Sequence, residues 1–458
     1  MQPTLVLNVV GLTPELLGEH TPSLSAFARA GGMRTLGTVT PAVTCTVQAT
    51  LTTGLLPREH GIVANGWYFR DLAEVWLWRQ SNKLVAGEKI WDAAKRRDPS
   101  FRCAKLFWWY NMYSSADIAV TPRPQYLADG RKMPDIYSEP PELRDELQQK
   151  LGQFPLFSFW GPNANVVSTQ WIADCARHVF DVQQPTLSLV YLPHLDYCLQ
   201  KLGPLHADIS AHLREVDAIC GALIEHAQRA GARVIVCSEY GITQVRAPVH
   251  INRALREAGL VRVREERGLE LLDPGASEAF AVSDHQLAHV YVRKPERVAE
   301  VRALLERLDG VERVLDHEGK RQYALDHERS GELVALSHAD RWFSYYYWLD
   351  DARAPDFARM VEIHRKPGYD PVELFVDPKI ALPQLKIGWK LVRKALGFRM
   401  TMDVIPLDAE LVRGSHGRVT DRPEQGPLVM SSEPQLLPEG ELPAVGFKQF
   451  VLDHVFGG

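Results

Sequence analysis

Short, continuously apolar runs alternate with amphipathic segments along the first half of the chain. The runs at residues 4–10, 187–191 and 233–237 are rich in β-branched side chains. This pattern is typical of strands buried on both faces of a parallel sheet. Apolar residues at helical spacing predict helices at residues 22–32, 168–182 and 209–230. The alternation predicts an α/β fold with a mostly parallel central sheet and helices on both faces.

The pattern changes in the middle of the chain, where short strands and helices alternate with irregular stretches. We expect residues 246–399 to form an inserted, smaller α+β lobe, and residues 1–245 and 400–458 to form the core. Residues 341–371 combine an aromatic strand with a loop that mixes His, Arg, Lys and Asp, including His364. Polar density in a loop indicates either contact with a substrate or ion, or a salt-bridged surface loop.

Composition and charge narrow the functional classes. A net charge of -5 gives no indication of a nucleic-acid partner. No run of apolar residues is long enough to span a bilayer, so we expect no stable membrane insertion. Six cysteines without CxxC pairs indicate reduced thiols in a cytoplasmic protein. The composition leaves open whether the protein forms a homo-oligomer.

The segment with the clearest chemical content is residues 41–68, PAVTCTVQATLTTGLLPREHGIVANGWY. Residues 44–53 are uncharged and suit a helix packed against a sheet, with Thr44 in its first turn. A helix N-terminus attracts anions such as phosphate, because its backbone N–H groups are free and its dipole is positive there. Thr44 is therefore either a group that acts on a phosphate or only the helix N-cap.

The same segment resembles the nucleophile segment of the type I phosphodiesterase/nucleotide pyrophosphatase branch of the alkaline phosphatase superfamily. The matching positions, in order, are Pro41, Thr44, Thr53-Gly54, Pro57, His60-Gly61-Ile62 and Asn65. The resemblance implies that Thr44 is a nucleophile that forms a phospho-threonine, and that Asn65 holds a phosphoryl oxygen. It covers roughly residues 1–245 and 400–458.

Several metal-ligand positions of that family are changed in this chain. Val10 stands where the first strand of the family ends in a ligating Asp, and Asn8 is the nearest polar replacement. Gln200 replaces a His four residues after Asp196. An amide is a weak zinc ligand beside imidazole, and Tyr240 replaces a second His with a group that ionises only near pH 10.

The resemblance nevertheless implies a divalent cation, with zinc expected, manganese or magnesium as alternatives, and one or two ions bound. The expected ligands are Asp196, Glu239 and His416. The residues expected to support the site or bind substrate are Asn8, His194, Gln200, Tyr240 and His364.

The resulting functional hypothesis is a metal-dependent hydrolase of phosphodiester or pyrophosphate bonds in a small molecule. The alternative is a catalytically degenerate relative that binds a phosphorylated ligand or has a regulatory role, because three ligand positions are changed at once. Altered chemistry on a different ester is a third possibility.

Overall fold

The centre of the molecule is an eight-stranded sheet. A computed structural model describes residues 1–398 and 401–457. Across the sheet the strands are Gly32–Thr35, Leu428–Ser431, Arg233–Cys237, Thr4–Val9, Leu187–Leu192, Cys103–Leu106, Ile118–Pro122 and Ile136–Glu139. The four pairings from Arg233–Cys237 to Ile118–Pro122 are parallel, and the outer pairings are antiparallel. The predicted mostly parallel α/β sheet is confirmed.

The strand Thr4–Val9 lies in the middle of this sheet and is buried along its whole length. It pairs with the two strands that precede the candidate site residues, and Asn8 lies opposite Tyr191 and Cys237. Because the carboxyl ends of parallel strands meet at one edge, the loops that follow these strands converge there. This edge is where the candidate site is found.

Helices flank the sheet in two groups. One group contains Pro22–Ala30, Val166–Gln183 and Ile209–Arg229, which pack on one another. The other contains Thr44–Thr53, Ile90–Arg97 and Phe447–Phe456. The three helices predicted from apolar spacing lie within two residues of their expected bounds. Strong amphipathic periodicity explains this agreement, because each of these helices buries one face in the core.

A second sheet lies within the segment predicted as an inserted lobe. It is four-stranded and antiparallel, in the order Ala279–Asp284, Leu287–Val292, Leu333–Ser337 and Val311–Leu315. The helices Ile251–Glu257, Val298–Leu305 and His317–Gln322 accompany it. The exact limits of the lobe remain a prediction. The expected aromatic strand is shorter than its aromatic run, because only Arg341–Phe343 pairs as a strand.

The loop that follows is fixed by an ion cluster in the interior. Lys366 Nζ lies 2.7 Å from Asp370 Oδ2 and 2.7 Å from Glu373 Oε1, and all three side chains are about 1% exposed. Burial and a like-charged neighbour raise the pKa of Asp370, while the Lys366 ammonium opposes that shift. The alternative prediction of a salt-bridged loop at the surface is therefore wrong about the position of these charges, because they are buried.

Two further expectations concern membranes and thiols. Among residues 1–398 and 401–457, no helix combines the length and the apolar character that crossing a bilayer requires. All six cysteines are buried and free.

Candidate active site

Thr44 is the first residue of the helix Thr44–Thr53 and lines a large cleft. Val43 has extended backbone angles and is the cap residue, and no side chain caps the helix. The alternative that Thr44 serves only as the N-cap is therefore wrong. The Thr44 hydroxyl lies instead at the positive end of the helix and next to the cleft.

A chain of hydrogen bonds links Thr44 to a buried carboxyl group. Thr44 Oγ1 lies 2.9 Å from the Tyr240 hydroxyl, which donates to Asp196 Oδ1 at 3.2 Å. Asp196 Oδ2 accepts a bond from Gln200 Nε2 at 2.8 Å. Burial raises the pKa of Asp196 to about 7, and the hydrogen bonds from Tyr240 and Gln200 oppose that shift. A carboxyl that titrates near neutral pH suits proton transfer.

His416 completes this side of the site. Its Nδ1 donates to the carbonyl of Ala42 at 2.8 Å, so Nε2 carries the lone pair, and Nε2 lies 3.6 Å from Asp196 Oδ1. The ring is stacked on Tyr240 and in contact with His285, with centroid separations of 3.7 and 3.6 Å. Burial lowers the pKa of His416 to about 3, which keeps the imidazole neutral.

Glu239 is fully buried, and its Oε2 has no hydrogen-bond partner. Asn8 Nδ2 donates to Glu239 Oε1, and so does Gln48 Nε2 at 2.6 Å. The backbone N–H of Trp109 donates to Gln48 Oε1 at 2.7 Å, which orients the amide of Gln48. Burial raises the pKa of Glu239 to about 8. At neutral pH this group is mainly a protonated acid held by amides.

The side-chain amide and the backbone N–H of Asn65 are both hydrogen-bonded. Its Oδ1 accepts from Cys45 N at 2.9 Å, and its own N–H and Nδ2 donate to the two oxygens of Asp284 at 2.7 and 3.0 Å. Asn65 is 1% exposed. Burial raises the pKa of Asp284 to about 7. The amide expected to hold a phosphoryl oxygen is thus bonded to a carboxyl group from the lobe.

The remaining predicted residues fall on two sides of the site. Gln200 Oε1 accepts from the Tyr369 hydroxyl at 2.8 Å, and His364 lines the cleft. His194 faces away from the cleft, toward the helix Ile209–Arg229, where its Nε2 contacts Glu215 at 3.0 Å. The structure therefore brings Thr44, Tyr240, Asp196, Gln200 and His416 together and separates His194 from them.

The cleft has a volume of about 2170 Å³. Its wall is rich in aromatic rings, among which Trp78 and Trp109 lie 4.8 Å apart, centroid to centroid. Basic side chains also line it: Arg79, Arg123, Arg131, Lys132, Arg365, Lys390 and Arg393. Such a site suits an anion that carries an apolar or aromatic group, because rings offer contact area and cations offer charge complementarity.

The donor set does not fit the two metal ions that the family resemblance implies. Val10 and Tyr240 supply no ligand, since burial raises the pKa of the Tyr240 phenol well above its usual value. Amides hold Glu239 at Oε1 and its Oε2 has no hydrogen-bond partner, so Asp196 and His416, 3.6 Å apart, are the one pair of the three expected ligands found in contact. Structural and catalytic zinc sites use at least three protein ligands.

Several important residues were missed by sequence reasoning. Asp284 reaches the site from the lobe, and Tyr369 does so from the loop at residues 361–371. No local signal distinguishes Asp284, because its role depends on how the lobe packs against Asn65. Gln48 was detectable, as the one large polar residue of an otherwise small or aliphatic helix.

Solved structures of known proteins share the fold of this chain. Solved structures with the same fold include phosphonoacetate hydrolase from Sinorhizobium meliloti in complex with phosphonoformate, at a TM-score of 0.62 and 15% identity, covering 99% of this chain and 96% of that one. An inactive variant of murine ectonucleotide pyrophosphatase/phosphodiesterase 5 in complex with AMP has a TM-score of 0.59 and 15% identity, covering 99% and 95%.

The family model named type I phosphodiesterase/nucleotide pyrophosphatase matches residues 4–370. The chain belongs to this family. A curated relative, an uncharacterized pyrophosphatase/phosphodiesterase of Schizosaccharomyces pombe, is 25% identical over 225 residues. The match covers 47% of this chain and only 38% of that relative.

Proposed function

We propose that this chain hydrolyses a phosphodiester or pyrophosphate bond in a small molecule, with Thr44 as the nucleophile. The observation that carries the proposal is the hydrogen-bonded series from Thr44 through Tyr240 to Asp196, which begins at the cleft wall. A nucleophilic hydroxyl needs an adjacent base, and this series provides one.

In the proposed first step, the Thr44 proton passes to the Tyr240 oxygen as the Tyr240 proton passes to Asp196. Thr44 Oγ1 then forms a bond to phosphorus, and the bond to the leaving alcohol or phosphate breaks. The leaving oxygen takes a proton from solvent. Water then attacks phosphorus, the bond between Thr44 and phosphorus breaks, and the proton held by Asp196 returns through Tyr240 to Thr44 as phosphate leaves. The helix N-terminus and the basic side chains of the cleft favour the anionic groups throughout.

Metal dependence, expected from the resemblance, enters this proposal only as a variable to be tested. Asp196 and His416 would be the side chains nearest to an ion beside Thr44. No step above passes through a metal, since the pair falls short of a complete ligand set. The base function is assigned to Asp196, whose pKa burial raises to about 7.

One observation favours a second candidate, a protein that binds a phosphorylated ligand without cleaving it. Asn65, the expected oxyanion donor, donates its backbone N–H and one side-chain amide proton to Asp284, and its Oδ1 accepts from the N–H of Cys45. Losing one oxyanion donor lowers turnover by about 10²- to 10³-fold in other enzymes. Such a protein would retain the cleft and its cations while losing rate.

We also propose a cytoplasmic location and a small-molecule ligand. Six buried free thiols support a reducing compartment. The aromatic and basic lining of the cleft supports a small organic anion as ligand.

The test is turnover of bis-p-nitrophenyl phosphate and of a nucleoside diphosphate by wild type, Thr44→Ala and Thr44→Ser, each with EDTA, Zn²⁺ or Mn²⁺. Thr46→Ala is the matched control, because Thr46 is fully buried on the same helix and its hydroxyl has no partner. We expect turnover in wild type and Thr46→Ala and none in Thr44→Ala. Equal turnover in Thr44→Ala would overturn the proposal. Tight ligand binding without any turnover would favour the second candidate.

A further inference from the structure

A cluster of metal-binding side chains lies outside the cleft, between two consecutive helices. His194 and Cys198 stand one turn apart on the helix His194–Leu202, and His212 and Glu215 stand nearly one turn apart on the helix Ile209–Arg229. Residues four or three apart share one face of a helix, so each helix offers a pair of side chains to the other.

The potential ligand atoms of this cluster converge closely. His194 Nε2 lies 3.2 Å from His212 Nδ1 and 3.8 Å from Cys198 Sγ. Glu215 Oε2 lies 3.0 Å from His194 Nε2 and 3.1 Å from His212 Nδ1. His194, Cys198 and His212 form a group of three possible metal ligands whose ligand atoms all lie within 4.8 Å of one another.

The separations of His194 Nε2 from His212 Nδ1 and from Cys198 Sγ are close to those of ligands on one tetrahedral ion. Bond lengths of about 2.0 Å for nitrogen and 2.3 Å for sulfur place two nitrogens about 3.3 Å apart, and nitrogen and sulfur about 3.5 Å apart. The observed values are 3.2 and 3.8 Å. A set of two imidazoles and one thiolate, with a carboxylate beside them, is typical of zinc.

Hydrogen bonds within the cluster cannot satisfy both ring nitrogens and the Glu215 carboxylate at once. The two ring nitrogens and Glu215 Oε2 form a nearly equilateral triangle. If both rings donate to Glu215, their two N–H groups face each other at 3.2 Å. A cation at the centre would instead meet a lone pair from each group. His194 is 1% exposed and its Nδ1 has no hydrogen-bond partner, so all polar contacts of this ring lie within the cluster.

We propose that His194 Nε2, Cys198 Sγ and His212 Nδ1 bind one zinc ion, with the Glu215 carboxylate at the fourth position. The side chains become more exposed from His194 and Cys198 to His212 at 29% and Glu215 at 43%. An ion can therefore reach the cluster from solvent along its His212 and Glu215 edge.

The ion would act as a clamp between the helix that carries Asp196 and the helix Ile209–Arg229. Metal bridges that join separate elements contribute to folding stability, because the unfolded chain does not hold the ligands together. The site is independent of the proposed chemistry at Thr44, since neither the proton path nor the cleft wall includes any of its four residues.

The first experiment measures metal in untagged protein by mass spectrometry after exposure to Zn²⁺ and removal of free metal. We expect one zinc ion per chain, and a higher melting temperature with Zn²⁺ than with a chelator. Cobalt substitution should give the charge-transfer absorption of a thiolate ligand. Absence of stoichiometric zinc in wild type would overturn the proposal.

Variants then locate the ion. Cys198→Ser and His212→Gln should each weaken zinc binding by at least about 100-fold and remove the melting shift. Glu215→Gln should weaken it less. His206→Ala, in the exposed connection between the helices, and Cys220→Ser, elsewhere on the second helix, are the matched controls and should keep the ion. Retention by both Cys198→Ser and His212→Gln would overturn the proposal, and so would loss of the ion in His416→Ala.

Discussion

The two faces of the helix His194–Leu202 contrast sharply in chemistry. Asp196 and Gln200 point toward the cleft, while His194 and Cys198 point toward the helix Ile209–Arg229. Two residues of offset rotate a side chain by about 200° around a helix, so the two pairs lie on opposite faces. On the cleft face, the side chains form hydrogen bonds among themselves. On the outer face, imidazole and thiol groups converge at the separations of metal ligands.

The difference shows that a family's metal chemistry cannot be assigned from its fold. On the cleft face, Gln200 donates to Asp196 at 2.8 Å, and both Gln200 and Tyr240 stand at positions where the family resemblance implies a ligating His. Hydrogen-bond donors stabilise the carboxyl groups there. On the outer face the same helix offers a nitrogen and a sulfur atom. Function must therefore be argued from the groups that meet in this chain.

The largest expected effect comes from separating the two faces by mutation. Asp196→Asn should lower kcat by about 10²- to 10⁴-fold, because it removes the proposed base, and it should leave zinc content unchanged. His212→Gln should lose zinc and retain most turnover. Measuring both quantities in both variants checks this. If Asp196→Asn lost both zinc and turnover, the two faces would not hold separate sites.

The pH dependence of wild-type activity tests the role of Asp196 on the cleft face. Burial raises the pKa of Asp196 to about 7, and a general base works only when it is deprotonated. We therefore expect kcat/KM to rise with pH through about 7 and to level off above it. A profile that falls over this range would contradict the base role.

The loop that supports the cleft face should be the most sensitive to loss of charge. Lys366→Met leaves Asp370 and Glu373 buried without their cation, and breaking a buried pair costs about 3–5 kcal/mol. Urea unfolding measures this loss of stability. Lys294→Met is the control, because Lys294 pairs with Glu278 at a half-exposed position, where a pair contributes at most about 1 kcal/mol. Equal losses in the two variants would contradict the structural role of the buried cluster.

Glu239 gives the cleft face a pH-dependent stability. Burial raises its pKa from 4.5 to about 8, so between these values the folded state holds a proton that the unfolded state has lost. Stability from this group is therefore present at low pH and is lost as pH rises, by about 1.4 kcal/mol per pH unit. Glu239→Gln removes that slope. The free energy of unfolding of Glu239→Gln relative to wild type should be higher at pH 8 than at pH 6. The same difference at both pH values would refute this prediction.

Much of the fold could be predicted from the sequence, while less of the site could. Apolar runs and helical spacing predicted the sheet and its long helices because burial controls both patterns. The roles expected for Thr44, Asp196, Tyr240 and His416 came from the resemblance to a known family. The engagement of Asn65 by Asp284 could not be predicted, because it depends on the packing of a distant lobe. The contact of His194 with His212 depends on the rotational phase of two helices.

The smallest expected effect concerns Tyr369, which joins the lobe-side loop to the cleft face. Its hydroxyl donates to Gln200 Oε1 at 2.8 Å, and this fixes the Gln200 amide as a donor to Asp196. Tyr369→Phe removes one buried hydrogen bond, at a cost of about 1 kcal/mol in stability and several-fold in kcat. If Gln200 then rotates, Asp196 loses a donor that favours its charged form, so the pH midpoint of activity should move upward. Zinc content should not change, because Tyr369 contacts only the cleft side of the helix. An unchanged midpoint would show that Gln200 is held by other contacts.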